Sequence, residues 1–449
     1  MMNRQIIDVH CHLFNAQYAV MELVAATWNH LWGNYPHQKE VAKKRAERGF
    51  VETLQGAKDF AAWIAGLLEI ALSDCEGNYD IARECFAHSA LSKSGLLVVA
   101  PLMMDIYFAL DDNKDEEHIR RRGGRALAVT EPFGIREDQR KDFDAHFNHI
   151  ENLIREEIQK SPAIKRRSSS GQALDAIFQD ARRELLTTPP KVRRGGDYEG
   201  IELSPGYKKH MHDLEDLCGK YPNLVFPFLA VDPRRIGIMK LIEMKVNKGK
   251  GGFKGIKIYP PLGYLPTHPN LEPIFDYCSQ YDIPITLHCS EGGMQNFRSE
   301  NYVTSWEGNH HLENFKASDG NKSRYYTAPE KWLPVLKKWP DLRINFAHFG
   351  GGDKLDSGDI GWMNAIIKLL QEHPHVYADI SYYSKPGLPQ KISGIIKQYP
   401  ILNTRLMFGT DYIMIMMDKG LGGLTKYFDR FTALNHILLS DNARNFLKI

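Results

Sequence analysis

Short apolar runs alternate with amphipathic stretches through the second half of the chain, from Leu224 onward. The amphipathic stretches carry apolar residues three and four positions apart, and the apolar runs have the length of buried strands. This alternation predicts repeated strand–helix units on a parallel sheet. With two earlier runs, the candidate strands are IIDVHCHLF, GLLVVAPLMM, LVFPFLAV, FKGIKIYP, PITLHCS, LRINFAHFGG, VYADISYY and RLMFGTDYIM. They number eight, as in a closed (β/α)8 barrel.

The stretch between the first and third candidate strands has a different pattern, because most of it is charged and helix-like. We expect helical insertions over residues of about 13–94 and 108–223, on either side of the second strand. The predicted fold class is therefore α/β: a single (β/α)8 TIM-barrel domain over residues 1–449, with a large, mostly helical insertion between its first and third strands.

Composition and charge exclude several classes of protein. The chain is 43% hydrophobic and 25% charged, with a formal net charge of +2, so nothing draws it as a whole to nucleic acid or to a membrane. Basic patches at residues 120–125, 165–171 and 191–196 are interpreted as solvated loops. The six cysteines form no CxxC pair, and the first residues lack the apolar core of a signal peptide. We expect a cytoplasmic protein with reduced thiols that binds neither nucleic acid nor membrane.

The first strand carries an HxH pair. Side chains alternate across a strand, so His10 and His12 are expected on one face and Ile7, Val9 and Cys11 on the other. In a barrel this brings two imidazoles together at the mouth, which is the geometry that metal binding needs. The alternative is a pair of hydrogen-bonded structural histidines.

Two further HxH pairs lie outside strands. His210 and His212 belong to a helix-like stretch, where positions i and i+2 diverge by roughly 200°. His373 and His375 follow the end of a helix, beside a proline. We interpret both pairs as structural or solvated.

Other polar residues stand at the ends of later strands. His288, His348 and Asp411 each follow an apolar run, and the C-terminal ends of barrel strands are where active sites form. Buried imidazoles and carboxylates need partners, which one metal supplies to several at once. His348 is the weakest of the set, because its parity places Ile344 and Phe346 inward with it, as expected for a core histidine.

Lys257 is predicted to point into the barrel, because Ile256 and Ile258 suit the helix-facing side. A buried ammonium is costly unless it is paired or chemically changed. It could pair with Asp411 or with a substrate carboxylate, or be carbamylated into a bridge between two metals. We favour a simple charge partner.

These motifs occur in an order that resembles the amidohydrolase superfamily. They are the HxH strand, GIKIYPP, the lone His288, AHFGG, FGTDY and the closing DNARNFLKI. The similarity is greatest to the amidohydrolase-2 branch, which includes the aminocarboxymuconate-semialdehyde decarboxylase relatives. It covers the first strand and nearly everything after Leu224. The resemblance implies a (β/α)8 barrel that holds one or two divalent metals, most often zinc, with manganese or another ion as the alternative. Barrels of this branch are often homodimers.

Carried over by position, the resemblance implies four metal ligands: His10, His12, His288 and Asp411. It also implies that His348 lies beside the metal-bound water. Lys257 aligns with the carbamylated lysine of binuclear members, but mononuclear relatives lack that bridge. We favour one ion over two.

Hydrolysis is the chemistry that such a site predicts. A metal with three imidazoles, one carboxylate and an open position lowers the pKa of bound water from about 15.7 towards about 7. Asp411 would take the water's proton and return it to the leaving group, and the metal or His348 would polarise the scissile carbonyl. The leading hypothesis is a metal-dependent hydrolase that acts on a small carboxylic ester, lactone or amide.

Three alternatives stay open. The first is non-oxidative decarboxylation or hydration of an unsaturated or aromatic carboxylic acid, in which Arg298 and Arg324 could hold carboxylates; solvated loop arginines are the plainer interpretation of both. The second is a TatD-like metal-dependent phosphoesterase, although those proteins are shorter and carry a glutamate where GIKIYPP stands here. The third is a catalytically idle barrel used for binding or assembly, against which the complete set of candidate ligands argues.

Overall fold

The structure of the chain is a computed structural model. It describes residues 5–32, 56–68, 74–110, 139–160, 170–187, 203–247, 252–298, 300–308, 310–315 and 322–449, with single positions at 72, 135, 198, 200 and 201. Within these ranges, no helix combines the length and the hydropathy needed to cross a bilayer. Of the basic patches, 120–125 and 191–196 lie outside the described residues, as does most of 165–171.

Strands form at all eight positions predicted from the apolar runs, and a further hairpin is present. The strands are β1 Gln5–Cys11, β2 Leu96–Pro101, β3 Phe228–Val231, β4 Gly255–Ile258, β5 Ile285–Leu287, β6 Glu300–Thr304, β7 His310–Asn314, β8 Ile344–Phe346, β9 Val376–Asp379 and β10 Leu406–Met407. Strands β3, β4, β5, β8, β9 and β10 are buried throughout, as expected for parallel strands that are covered on both faces.

The eight strands other than β6 and β7 close into a parallel ring. β1 pairs with β2, and β3, β4, β5, β8, β9 and β10 pair in that order, all of them parallel. A bridge between Leu102 and Phe228 joins β2 to β3, and one between Cys11 and Tyr412 joins the end of β1 to the chain after β10. The predicted parallel α/β barrel is therefore present. β6 and β7 form a separate antiparallel hairpin.

Helices connect the strands and cover the barrel. The described α-helices are α1 Ala16–Trp32, α2 56–68, α3 Cys75–Ala87, α4 Arg140–Lys160, α5 Ser170–Thr187, α6 Pro205–Lys220, α7 Ile238–Lys245, α8 Glu272–Gln280, α9 Lys322–Thr327, α10 Leu333–Lys338, α11 Gly352–Ser357, α12 Gly361–Glu372, α13 Leu388–Gln398, α14 Leu402–Arg405, α15 Met414–Lys419, α16 Leu421–Arg430 and α17 Asn442–Leu447. Local signals explain several ends. Helix α6, for example, begins with Ser204, whose hydroxyl accepts from the amide of Tyr207, and with Pro205 in its first turn.

Helices α1, α2, α4 and α5, which precede β3 in the chain, cover the C-terminal rim of the barrel. Residues of α1, α2, α4 and α5 share one hydrophobic cluster with Phe14, Tyr259 and Ile413, which follow the C-terminal ends of β1, β4 and β10. The described parts of the two predicted insertions are thus largely helical. Their predicted bounds, 13–94 and 108–223, stay a prediction, because much of both segments lies outside the described residues.

The alternation of β1 is broken, which corrects one prediction. Ile7 and Val9 share a cluster with Phe228, Tyr377 and Met407, which includes strands on opposite sides of the ring, so this cluster fills the barrel interior. The predicted helix-facing orientation of Ile7 and Val9 is therefore wrong.

A register shift against β2, between Asp8 and Cys11, is the physical reason. Such an irregularity changes which residues face inward along a strand. The carboxylate of Asp8 accepts from the amides of His10 (3.1 Å) and Thr410 (3.0 Å), which holds the irregular segment against the chain after β10.

The predicted parity of β8 is also wrong. Ile344 and Phe346 pack in the helix-facing core, where the ring of Phe346 lies 6.1 Å from that of Trp332. Asn345 points inward instead, and its amide donates to Asp379 (2.7 Å). His348 follows in a turn with φ of 66°, so its direction is set by the turn rather than by strand alternation.

Candidate functional site

Five polar residues meet at the C-terminal rim of the barrel. His10 and His12 lie at the end of β1, and His288, His348 and Asp411 follow β5, β8 and β10. All five are buried. They converge because parallel strands present their C-terminal ends at one edge of the ring.

His10, His12 and Asp411 form one compact group, whose candidate ligand atoms lie within 4.8 Å of one another. The Nε2 atoms of His10 and His12 lie 3.7 Å and 3.3 Å from Oδ1 of Asp411. The other ring nitrogens are occupied: Nδ1 of His10 lies 3.2 Å from Asp379, and Nδ1 of His12 lies 2.8 Å from the carbonyl of Leu102. Acceptors at Nδ1 favour the tautomer with the proton on that nitrogen, which in a neutral ring leaves the lone pair on Nε2, the atom nearest to Asp411.

His288 and His348 form a second pair at the same rim. Nδ1 of His288 lies 3.1 Å from Nε2 of His348. Nε2 of His288 is 2.8 Å from the carbonyl of Gly292, and Nδ1 of His348 is 2.9 Å from the hydroxyl of Ser381. That hydroxyl donates to Asp379 (2.5 Å), so it accepts from His348. In the neutral rings, two further lone pairs therefore face each other.

Of the four predicted ligands, His288 lies farther from the compact group of His10, His12 and Asp411, and His348 stands between. The ring centroids of His10 and His348 are 4.6 Å apart, and those of His288 and His348 are 4.8 Å apart. His288 therefore contacts His348, which in turn contacts His10 of the compact group. Of the five residues, His348 is the one that the sequence supported least.

Burial favours the neutral form of His10, His288 and His348. It is the largest cause of a pKa of about 3 for His10, and it lowers the pKa of His288 and His348 as well. Neutral imidazoles carry the free lone pairs that metal ligands need, whereas imidazolium does not bind metal.

Asp411 stays ionised despite its burial. Burial alone would raise the pKa of its carboxyl, but the contact with His12 and the neighbouring rings of His10 and His348 hold that pKa well below its ordinary value. Three imidazole rings and a carboxylate are a donor set that suits zinc and related divalent ions. Asp411 also has a φ of 58°, which is uncommon for a residue other than glycine.

Asp379 is a site residue that the sequence reasoning missed. Its carboxylate accepts from Asn345, Ser381 and the amide of His348, and it lies beside Nδ1 of His10. Burial would raise the pKa of this carboxyl, but the neighbouring His10 holds it well below its ordinary value. An acidic residue at the end of an apolar run, as in VYAD, is the same signal that identified Asp411.

Lys257 lies inside the barrel as predicted, but the ion pair with Asp411, one of the two charge partners considered from the sequence, is absent. Among the described residues, no hydrogen-bond or salt-bridge partner reaches its buried Nζ. Burial lowers the pKa of Lys257 to about 8, against the opposing charges of Asp379 and Asp411. The pair does not form because histidines already surround Asp411.

The remaining sequence candidates are held by groups of the chain itself. Arg298 donates to the carbonyl of Leu110 (2.9 Å and 2.7 Å), and Arg324 binds Glu291 (3.1 Å and 2.6 Å). These contacts leave neither arginine in the carboxylate-holding arrangement considered from the sequence.

A family model described as Amidohydrolase matches residues 144–449, more than half of the chain. Strand β1, with His10 and His12, lies before the matched region. No curated protein matches the chain.

Solved structures give more distant similarities. An uncharacterized TIM-barrel protein from Bordetella bronchiseptica is 20% identical, covering 53% of this chain and 71% of that one, with a TM-score of 0.36. A 5-carboxyvanillate decarboxylase from Novosphingobium aromaticivorans, complexed with manganese, is 15% identical over 54% and 70%, with a TM-score of 0.35. An amidohydrolase from Burkholderia multivorans with bound zinc is 11% identical over 54% and 80%, with a TM-score of 0.36.

Proposed function

Because the chain belongs to the amidohydrolase family, we propose that it is a metal-dependent hydrolase of a small carboxylic ester, lactone or amide. The proposed ligands of a single divalent ion, with zinc as the first candidate, are His10, His12, His288 and Asp411. We also propose that its binding partner is a small-molecule substrate. The homodimer and the cytoplasmic location stay predictions from the sequence.

One observation carries this proposal. Nε2 of His12 lies 3.3 Å from the carboxylate oxygen of Asp411, and the neutral rings of His288 and His348 oppose two lone pairs at 3.1 Å. Electron-rich atoms so close together, in a buried site, need a cation among them. A divalent ion supplies that charge, and when bound it also supplies the Lewis acidity that lowers the pKa of water from about 15.7 towards about 7.

The two remaining tasks in hydrolysis are to orient the water and to move its proton. His348 donates from Nδ1 to Ser381, so its Nε2 is an acceptor that can orient a water molecule by one O–H bond. Asp411 is ionised and can take the proton. The water oxygen then bonds to the carbonyl carbon, the C–O or C–N bond breaks, and the proton passes from Asp411 to the leaving oxygen or nitrogen.

Replacing the proposed base tests the function. Asp411→Asn keeps the size of the side chain but cannot accept the proton, so turnover of esters, lactones or amides should fall by about 10²–10⁴-fold. The matched control is Asp418→Asn, which removes the same charge from a partly exposed carboxylate paired with Lys419. Activity that survives in Asp411→Asn, with the control unchanged, would refute the role of Asp411.

A second candidate is non-oxidative decarboxylation or hydration of an unsaturated or aromatic carboxylic acid. The unpartnered ammonium of Lys257 supports it, because a buried cation favours a substrate that arrives as an anion. The two reactions are separated by their products. Release of CO₂ from a panel of aryl and unsaturated acids, without hydrolysis of esters or amides, would favour the second candidate over the first.

A further inference from the structure

Lys257 lines a narrow, closed crevice at the C-terminal rim of the barrel. The crevice lies between the ends of β2, β3 and β4, and its walls include Met103, Asp105, Ala230, Asp232, Lys257 and Tyr259. The ring of Tyr259 lies 5.7 Å from Nζ of Lys257 and stacks on His288 at 4.4 Å. The ammonium is thus one aromatic ring away from a proposed metal ligand.

The carboxylates of the crevice are already neutralised. Asp105 receives two hydrogen bonds from Arg235 (2.7 Å and 2.6 Å), and Asp232 receives two from Arg234 (2.7 Å and 2.5 Å). All four side chains are almost completely buried. Each carboxylate thus forms a bidentate ion pair with its own guanidinium, so neither carboxylate is available to neutralise the charge of Lys257.

The carboxylates nearest to the histidines are engaged as well. Asp379 accepts from Asn345 and Ser381 beside His10, and Asp411 faces the histidines. Lys257 is therefore buried without a hydrogen-bond or salt-bridge partner among the described residues. A buried, uncompensated charge is costly, and a ligand anion is the group that would offset it.

We propose that the ammonium of Lys257 binds a carboxylate of the substrate, so that the substrates of this site are small carboxylic acids, including the monoesters and monoamides of dicarboxylic acids. The inference rests on the proposed function and narrows its substrate class. Burial keeps the pKa of Lys257 at about 8, which leaves the side chain charged at neutral pH.

The test uses the metal-loaded protein, with benzoate as the probe and benzamide as its neutral counterpart. Titration calorimetry should show that the wild type binds benzoate at least about 10-fold more tightly than benzamide, the ratio expected for a charge-assisted hydrogen bond. Lys257→Met should reduce that ratio to within about twofold. The control is Lys254→Met, which removes a charge just before the opposite end of the same strand, where burial and Arg343 lower the lysine's pKa, and it should keep the wild-type ratio.

Thermal melting gives an independent readout. If Lys257 is an unpaired charge, Lys257→Met should melt above the wild type without benzoate, and benzoate should raise the melting temperature of the wild type alone. A lower melting temperature for Lys257→Met, an unchanged benzoate ratio, or a carbamylated Lys257 in the intact mass would each overturn the inference.

Failure of the inference is distinguishable from failure of the proposed function. The inference alone fails if metal is bound and Asp411→Asn abolishes hydrolysis, but Lys257→Met binds benzoate as the wild type does. The proposed function alone fails if purified protein takes up no metal and hydrolyses nothing, while Lys257 still selects benzoate over benzamide.

Discussion

Asp379→Asn is the perturbation that most sharply tests how the site is held. The carboxylate now accepts on both oxygens: Oδ1 from the amides of His348 and Ser381 (3.1 Å each), and Oδ2 from Asn345 (2.7 Å) and His10 Nδ1 (3.2 Å). Asparagine has a single acceptor oxygen. If that oxygen keeps the contacts of Oδ1, its NH₂ group faces Asn345 and His10.

The consequence for His10 is a change of tautomer. Nδ1 must then accept a hydrogen bond from the new amide, which requires the ring proton to be on Nε2 and removes the lone pair that faces Asp411. Asn345 can adapt by turning its amide, because its Oδ1 has no partner among the described residues. We therefore expect about 10–100-fold weaker metal binding and a loss of about 1–3 kcal/mol in the free energy of unfolding of the metal-free protein.

The assay is competition for zinc against a chromophoric chelator, with urea unfolding of the metal-free protein alongside. Asp105→Asn is the control, because it disrupts a buried carboxylate that is bound to Arg235 rather than to a histidine. It should lower stability and leave zinc affinity unchanged. Wild-type zinc affinity in Asp379→Asn would refute the idea that Asp379 sets the tautomer of His10.

Two further predictions address other parts of the structure. A Cβ at Gly409 would lie 2.9 Å from Cβ of His10 and 3.2 Å from that of Ser381, so Gly409→Ala should displace His10 and weaken zinc binding at least about 10-fold; undiminished affinity would contradict this packing. Burial raises the pKa of Glu22 from 4.5 to about 7, although Ser204 donates to its carboxylate. The protonated form of Glu22 therefore stabilises the fold, and this contribution is complete below pH 4.5 and is lost as the pH rises through 7. Glu22→Gln should therefore raise the free energy of unfolding by up to about 3 kcal/mol at pH 8.5 and by little at pH 5, and equal effects in urea unfolding at both pH values would contradict the assignment.

The strands were predictable because their signals are local. Apolar runs of strand length mark β3, β4 and β9 without any knowledge of their neighbours, and polar residues at their ends mark the rim. The same reasoning placed Lys257 inside the barrel, since Ile256 and Ile258 both pack in the helix-facing core.

The errors arose where the backbone departs from regular alternation. The inward orientation of Ile7 and Val9 depends on the register shift against β2, which the sequence of β1 alone does not reveal. The direction of His348 depends on a turn with positive φ, so parity counted from Ile344 and Phe346 gave the wrong faces.

Partner choice was the other feature that the sequence could not supply. The sequence indicates that Lys257 needs a counter-charge. It does not show that His10 and His12 already contact Asp411, because that contact forms only when the fold brings the ends of β1 and β10 together. Asp379 was missed although it ends its strand as Asp411 does, because its importance lies in contacts with residues of three other segments.

The central claim is that His10, His12, His288 and Asp411 hold one divalent ion. Metal analysis of the purified protein, combined with its intact mass, tests this claim most directly. The account predicts one divalent ion per chain, with zinc as the first candidate, on a chain of unmodified mass. A chain that takes up no metal after incubation with zinc, or one with two ions and a carbamylated Lys257, would contradict it.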